Sequence, residues 1–145
     1  MVGVKVGARF LWAALLVAGL SGCSGGAKEV PLDTLTAEQI FQRGELSLET
    51  DKKPDNAIRY FSEVERLYPY SAFAKRALIM QAFSQHRAKR YEDTRSSAQR
   101  YLDLYPAEED AAYAQYLLAL SYYDQIDEVG RDQGLTFQAL QALRD

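Results

Sequence analysis

A tripeptide that occurs twice constrains the fold more than any other feature of this sequence. Leu67-Tyr68-Pro69 recurs as Leu104-Tyr105-Pro106, 37 residues further along the chain. In the stretch between them, apolar residues return every three or four positions, which is the spacing of one face of an α-helix. Helices usually end before a proline, so each tripeptide marks a helix end. A helical pattern that recurs at this period predicts supersecondary units stacked in an array.

The predicted helix starts carry residues that stabilise a first helical turn. These residues are Thr36 with Gln39 as a capping box, Pro54, Ser71 and Thr136. The units cover about residues 36–69, 71–106 and 107–145, and each consists of two helices joined by a turn. In the third unit, Ala111–Asp124 is the predicted first helix, and a longer loop leads to the second.

The spacing within each unit resembles the tetratricopeptide repeat, whose period is about 34 residues. In that repeat, small residues let the two helices of a unit approach closely, and a proline closes the unit. The corresponding residues are Gly44, Ala57, Phe61 and Pro69 in unit one, Ala82, Thr94, Ala98 and Pro106 in unit two, and Ala139 and Leu143 in unit three. We therefore predict an all-α solenoid of about three helix-turn-helix, tetratricopeptide-like repeats, the last of them truncated. An ordinary bundle of helical hairpins is the alternative. Because the third unit has no closing proline, we expect the chain to be a fragment of a longer protein.

The first 22 residues have the composition of a signal peptide. They contain no acidic residue, and Lys5 and Arg9 precede an uncharged, apolar run from Phe10 to Leu20. Such a run is about half as long as a helix that crosses a bilayer. A basic start followed by a short apolar core is typical of an export signal. A buried amphipathic helix is the alternative, but the flanking residues do not favour it.

The segment that follows this run resembles a bacterial lipobox. Leu20-Ser21-Gly22-Cys23 implies cleavage before Cys23 and attachment of lipid to its thiol. A lone cysteine is more often a small core residue, but glycines and serines surround this one. Residues 1–22 are then a lipoprotein signal peptide, and residues 23–35 form a lipidated, flexible tether to outer-membrane lipid. Ser24 after the cysteine favours the outer membrane over the inner one.

Charge and residue counts exclude several classes of function. The formal net charge of −3 leaves no basic field that would bind nucleic acid. One cysteine and one histidine are too few for a disulfide framework or an ordinary zinc site. The sequence contains no phosphate-binding loop, nucleophile elbow or HExxH motif. We therefore expect no enzyme activity, no cofactor and no metal, and we expect His86 to be solvated or to face a groove.

Tyrosines and cations on the first helices of units two and three predict a peptide-binding groove. Helical repeat arrays bind ligands on an extended concave surface. Tyrosine suits such a surface because it combines apolar area with a hydroxyl and little rotamer entropy. The candidate residues are Arg76, Phe83, Arg87, Tyr113, Tyr116 and Tyr123. Together they suit an extended peptide with an aromatic residue and a carboxylate. Packing between neighbouring repeats is the alternative for each of them, whereas Tyr122 is expected in the core.

The lipobox, the short tether and the repeats that end in Tyr-Pro together resemble the BamD (ComL) family of outer-membrane β-barrel assembly lipoproteins. Residues 120–133 are similar to the long loop of that family, and Val129–Gln133 is the most specific stretch. The resemblance implies a non-enzymatic scaffold, lipid-anchored on the periplasmic face of the outer membrane, that helps to recruit and insert unfolded β-barrel proteins. It also implies BamA and other subunits of the assembly (BAM) machinery as partners.

The family usually has five repeats, so the resemblance also implies that about two repeats are absent, together with the main docking surface for BamA. A periplasmic adaptor lipoprotein of cell-wall or pilus assembly is the alternative function, because it shares an anchor and helical repeats.

Overall fold

The computed structural model describes residues 30–126 and 133–144, and a compact unit begins at Pro31. The described residues form six α-helices: α1 (Ala37–Glu49), α2 (Pro54–Leu67), α3 (Ala72–Arg87), α4 (Tyr91–Leu104), α5 (Ala111–Tyr123) and α6 (Gly134–Ala142). Each helix packs against the next one in the chain, and α3 also contacts both α1 and α5. No β-strand is found in these two ranges. This arrangement confirms the predicted all-α, tetratricopeptide-like solenoid, whose units are α1 with α2, α3 with α4, and α5 with α6.

Local signals in the sequence set the starts of the first three helices. The backbone N–H of Gln39 donates to Thr36 Oγ1 at 3.3 Å, and the N–H of Thr36 donates to Gln39 Oε1 at 3.0 Å. Ser71 Oγ accepts a hydrogen bond from the N–H of Ala74 at 3.2 Å. Pro54 lies in the first turn of α2, where its missing N–H costs nothing. The predicted capping box and both other starts are confirmed.

The start and the inward face of α6 differ from the prediction. The helix begins at Gly134, and the N–H of Phe137 already donates to the carbonyl of Gln133 at 2.9 Å. Thr136 therefore lies inside the first turn and does not cap the helix. Leu143, which was matched to the buried Phe61 of unit one, is 64% exposed, whereas Ala142 is buried. Gln115 Nε2 donates to the carbonyl of Ala142 at 2.6 Å, which holds this face of α6 against α5.

The folded region begins within the segment that was predicted as a tether. A short 3₁₀ helix covers Leu32–Thr34, and its leucine packs with Leu35 against the apolar core of unit one. The hydroxyl of Tyr68, from the first copy of the repeated tripeptide, donates to the carbonyl of Leu35. The N-terminal segment is therefore attached to unit one from Pro31 onward.

Close approach of α1 and α2 defines the core of unit one. A Cβ atom added to Gly44 would lie 2.6 Å from Cε1 and 2.7 Å from Cζ of the Phe61 ring. Phe61 is fully buried, and its ring centroid lies 5.2 Å from that of Phe41. Glycine at position 44 is therefore required by packing, as the tetratricopeptide spacing predicts.

Small side chains have the same role in the second core, which joins units two and three. Ala82, Ala98 and Ala114 are fully buried there, with Tyr101 as the largest member. Burial raises the pKa of the Tyr101 hydroxyl to about 12, and the charges of Asp110 and Glu108 act in the same direction. The side chain of Tyr101 is therefore neutral at physiological pH.

The turns between the two helices of units one and two share an unusual backbone conformation. Lys52 has a φ of 55° and Lys89 a φ of 59°, both in the left-handed region that glycine and asparagine favour. The two lysines are 37 residues apart, which is the period of the repeated tripeptide. The same strained turn therefore recurs in both units.

Replacing Gly44 with alanine tests the contact between α1 and α2. Alanine favours an exposed helix over glycine by about 1 kcal/mol, but here its Cβ has to displace the buried ring of Phe61. We expect a net loss of about 1–3 kcal/mol in the free energy of unfolding, measured by chemical denaturation. The same substitution should cost less in a Phe61→Leu background, which removes the atoms that clash. An equal cost in both backgrounds would contradict this account.

Candidate functional site

All six candidate groove residues lie on the first helices of the units. Arg76, Phe83 and Arg87 belong to α3, and the three tyrosines belong to α5. We use the term helix-A face for the surface formed by these six residues and by the residues of α1 that contact them. Because α3 contacts both α1 and α5, this face continues from one unit to the next.

The three tyrosines of α5 project from the core. Tyr113 is 39% exposed, Tyr116 50% and Tyr123 62%. The rings of Tyr113 and Tyr116 stack with their centroids 6.1 Å apart. Burial, with a smaller contribution from Tyr116, raises the pKa of Tyr113 above its ordinary value. Tyr122 packs against the core as predicted, and the Arg95 guanidinium lies 4.6 Å from its ring centroid.

The position of Tyr116 in the repeat bears on its role. The equivalent residues in the two preceding units are Ile79, 37 residues before Tyr116, and Phe41, a further 38 residues before Ile79. Both of these residues are buried, and the ring centroid of Phe41 lies 5.5 Å from that of Phe73 on the next unit's first helix. Tyr116 instead lines an open cavity beside Ala142 and Leu143. In unit one this position contacts the following unit, and in unit two it belongs to the core that units two and three share.

Arg76 connects unit two to unit one. Its side chain is exposed, and its guanidinium lies 4.8 Å from the ring centroid of Phe41. A cation above an aromatic face is held there by the quadrupole of the ring. The guanidinium thus stays available at the surface while its position is fixed by α1.

Phe83 and Arg87 line a cavity of about 290 Å³ between α1 and α3. Its apolar lining is completed by Leu48 and Met80, and its charged lining consists of Glu45, Glu49, Lys52 and Arg87. The Arg87 guanidinium lies 5.9 Å from the ring centroid of the half-buried Phe83. The six candidates therefore do not form one pocket. Phe83 and Arg87 share a cavity, Arg76 lies against Phe41, and the tyrosines lie on α5.

His86 is not solvated, so that part of the prediction for it is wrong. Its side chain is 15% exposed, and Nε2 lies 2.9 Å from Asp124 Oδ2 at the end of α5. The edge of the Tyr91 ring packs against the imidazole at a centroid distance of 5.6 Å. Arg95 of α4 contacts the residues just after α5, where it donates a hydrogen bond to Gln125 Oε1 at 2.6 Å. Sequence reasoning missed the contact of His86 with Asp124 and that of Arg95 with Gln125, because each joins residues that are distant along the chain.

Two kinds of feature are absent from the described residues. Within residues 30–126 and 133–144, no helix has both the length and the apolar character needed to cross a membrane. The same residues contain no group of three or more His, Cys, Asp or Glu side chains that could hold a metal ion. The predicted signal peptide, Cys23, the tether up to residue 29 and residues 127–132 of the predicted family loop lie outside the described residues.

Comparison with known proteins identifies relatives over most of the chain. Residues 33–145 match the sequence profile of the outer membrane lipoprotein (YfiO) family. The chain is 38% identical over 135 residues to the outer membrane protein assembly factor BamD of Caulobacter vibrioides, which covers 92% of this chain and 44% of that protein. It is 35% identical over 141 residues to the protein of the same name from Rickettsia prowazekii, covering 93% of this chain and 54% of that protein. The chain thus spans about half the length of these relatives.

Truncation of Tyr116 separates a surface role from a packing role. Because its ring is half exposed, we expect Tyr116→Ala to change the free energy of unfolding of this chain by less than about 1 kcal/mol. Phe61→Ala, which empties a fully buried site, is the control and should cost about 3–5 kcal/mol. Thermal and chemical denaturation of both variants measure the difference. A loss for Tyr116→Ala close to that of Phe61→Ala would assign Tyr116 to the packing between units.

Proposed function

Because the chain belongs to the outer membrane lipoprotein family, we propose that it is a non-enzymatic scaffold of the outer-membrane protein assembly (BAM) complex. In this proposal it helps to recruit β-barrel proteins and to insert them into the outer membrane. The relatives are named outer membrane protein assembly factors, which supports this role over that of an adaptor in cell-wall or pilus assembly. The relatives are about twice as long as this chain, so their activity as whole proteins is proposed for this chain and is part of the hypothesis.

The observation that carries the proposal is the continuity of the helix-A face. Exposed cations and aromatic rings lie along it, from Arg76 beside Phe41 to the tyrosines of α5. An extended segment of an unfolded β-barrel protein has alternating apolar side chains, which aromatic rings bind well. Its free backbone N–H and C=O groups remain able to bond to polar side chains. We therefore assign the recruitment of such segments to the helix-A face, with Arg76, Phe83, Arg87, Tyr113, Tyr116 and Tyr123 as its candidate contacts.

The anchor is the second part of the proposal. Lipid on Cys23 would hold the chain at the outer membrane with its repeats facing the periplasm. Stable attachment requires more than one acyl chain or a second membrane signal, and a multiply acylated cysteine supplies the former. The remaining subunits, BamA among them, are the proposed partners of the assembled scaffold.

Isolation of the complex tests the role in assembly. The full-length protein, solubilised from membranes in mild detergent, should be isolated together with BamA. The same isolation is repeated with the triple variant Tyr113→Ala, Tyr116→Ala, Tyr123→Ala, as a control for binding of BamA through the three tyrosines. Isolation with cell-wall or pilus assembly proteins instead of BamA would support the alternative function.

Substitutions within the lipobox test the lipid anchor. We expect Cys23→Ala to abolish both lipid attachment and signal cleavage, because the thiol is the acceptor of the lipid. Metabolic labelling with a fatty-acid probe and the electrophoretic mobility of the product measure both effects. Ser24→Ala, which leaves the thiol in place, should label like the parent. Equal labelling of Cys23→Ala and the parent would show that the lipid is not on this residue.

A further inference from the structure

We propose that a groove between units two and three binds a neutral oligosaccharide. The groove has a volume of about 510 Å³ and lies between α4, α5 and α6. We call it the amide groove, because four of its lining side chains are those of Gln99, Gln115, Gln138 and Gln141. The helix-A face belongs to the first helices of the units, whereas α4 and α6 are second helices. This inference therefore goes beyond the proposed function and does not depend on it.

Polar side chains line both sides of the amide groove. Gln99 and Asp103 lie one helical turn apart on α4. Gln138 and Gln141 lie one turn apart on α6, and all four residues are exposed. Nε2 of Gln99 donates to Asp103 Oδ1 at 2.9 Å. The side chains of Gln138 and Gln141 form no hydrogen bond with another described residue, so each offers two N–H donors and an acceptor to a ligand.

Apolar side chains lie deeper in the amide groove. Leu118 and Ala142 are buried there, and Leu102 and Tyr122 are half-buried. A pyranose ring has C–H groups on its faces and hydroxyls around its edge. Its face can therefore pack on the apolar side chains while its hydroxyls reach the amides. The volume of about 510 Å³ is also within the roughly 300–1,000 Å³ of small-ligand sites.

The charges at the amide groove favour a neutral ligand. Among the described residues that line it, Asp103 is the one charged residue, and it already accepts a hydrogen bond from Gln99. An anion would meet no cation there and would be repelled by this carboxylate. An apolar ligand would remove the glutamines from water without providing hydrogen-bond partners. A ligand rich in hydroxyls avoids both costs, because each hydroxyl donates and accepts.

The corresponding groove between units one and two has a different lining. Its volume is similar, about 580 Å³, but Arg66 holds the position of Asp103, 37 residues earlier in the chain. Glu65 holds the position of Leu102 in the same way, and it forms an ion pair with Arg100 that joins α2 to α4. The lining by glutamines is therefore particular to units two and three and does not follow from the repeat itself.

An extended peptide is the other neutral ligand with both donors and acceptors. Along a peptide, successive side chains point to opposite sides, so its apolar and polar surfaces alternate residue by residue. The amide groove instead has apolar side chains at depth and polar ones on both sides. This separation matches the face and the edge of a sugar ring, and a peptide is the alternative that the experiment has to distinguish.

Isothermal titration calorimetry of the full chain with oligosaccharides tests the proposal. The probes are chitotriose, which carries N-acetyl groups, and maltotriose, which does not, and the detergent must have no sugar head group. We expect at least one of them to bind with a Kd of about 1 mM or tighter. Tighter binding of chitotriose would identify an N-acetylated glycan as the source of the ligand, and tighter binding of maltotriose would identify a plain glucan.

Removing the amides of α6 should weaken this binding. The double variant Gln138→Ala, Gln141→Ala should bind about tenfold more weakly, as for the loss of two neutral hydrogen bonds. Its thermal denaturation should match that of the parent, because both side chains are exposed and alanine favours a helix. Gln42→Ala removes an exposed glutamine from α1 and is the matched control, with unchanged affinity. Asp103→Asn, which keeps an acceptor, should change the affinity by less than about threefold.

Failure of both saccharides to bind at concentrations up to about 10 mM would overturn this inference. Equal affinities of the parent and the α6 double variant would overturn it as well, because binding would then occur elsewhere. A neutral peptide of alternating serine and valine residues is titrated in the same way. If the double variant weakens binding of this peptide and not of the saccharides, the amide groove is a peptide site and the inference is wrong. Each of these results is independent of whether BamA is isolated with the full-length protein, which tests the proposed function.

Discussion

The contact between Gly44 and the Phe61 ring is the constraint on which the rest of unit one depends. Because position 44 has no side chain, the ring of Phe61 can lie directly against the backbone of α1. Phe61 then reaches Phe41, and Phe41 in turn contacts Phe73 and the guanidinium of Arg76 on the next unit. A contact between the α1 backbone and a ring of α2 thus determines where a cation lies on the helix-A face. Larger residues at such contacts overpack the core and shift the helices.

Much of this fold follows from the sequence because its signals are local. Thr36, Ser71 and Pro54 act within one turn of helix, so their roles can be read without knowing the rest of the structure. The repeated tripeptide sets the period, and the small residues follow from it. The errors in where a helix starts and which of its residues face the core lie in the third unit, where the long loop removes the alignment with the first two. There, the residue of α6 that faces α5 is Ala142, one position before the Leu143 that the alignment indicated. Ala142 is therefore buried and Leu143 is exposed.

The candidate site was less predictable because its parts come from different units. The exposure of the three α5 tyrosines follows from helical periodicity, since the alanines and leucines of the same helix take the buried side. The cavity between α1 and α3 does not follow in this way. Lys52 lies in the turn after α1 and Phe83 lies on α3, and no spacing within either element places them together. The same applies to His86, whose partner Asp124 becomes visible only when α3 is packed against α5.

The hydrogen bond from Tyr68 to Leu35 has a mechanical consequence. A pull on the residues before Pro31 acts on Leu35, whose carbonyl is held by a hydroxyl at the end of α2. Part of the load therefore passes to the end of α2, and not only to the first turn of α1. Only residues 24–30 separate Cys23 from Pro31, and an extended chain of that length spans at most roughly 28 Å. Wherever Cys23 is held, the first unit can move no further from that point than this distance.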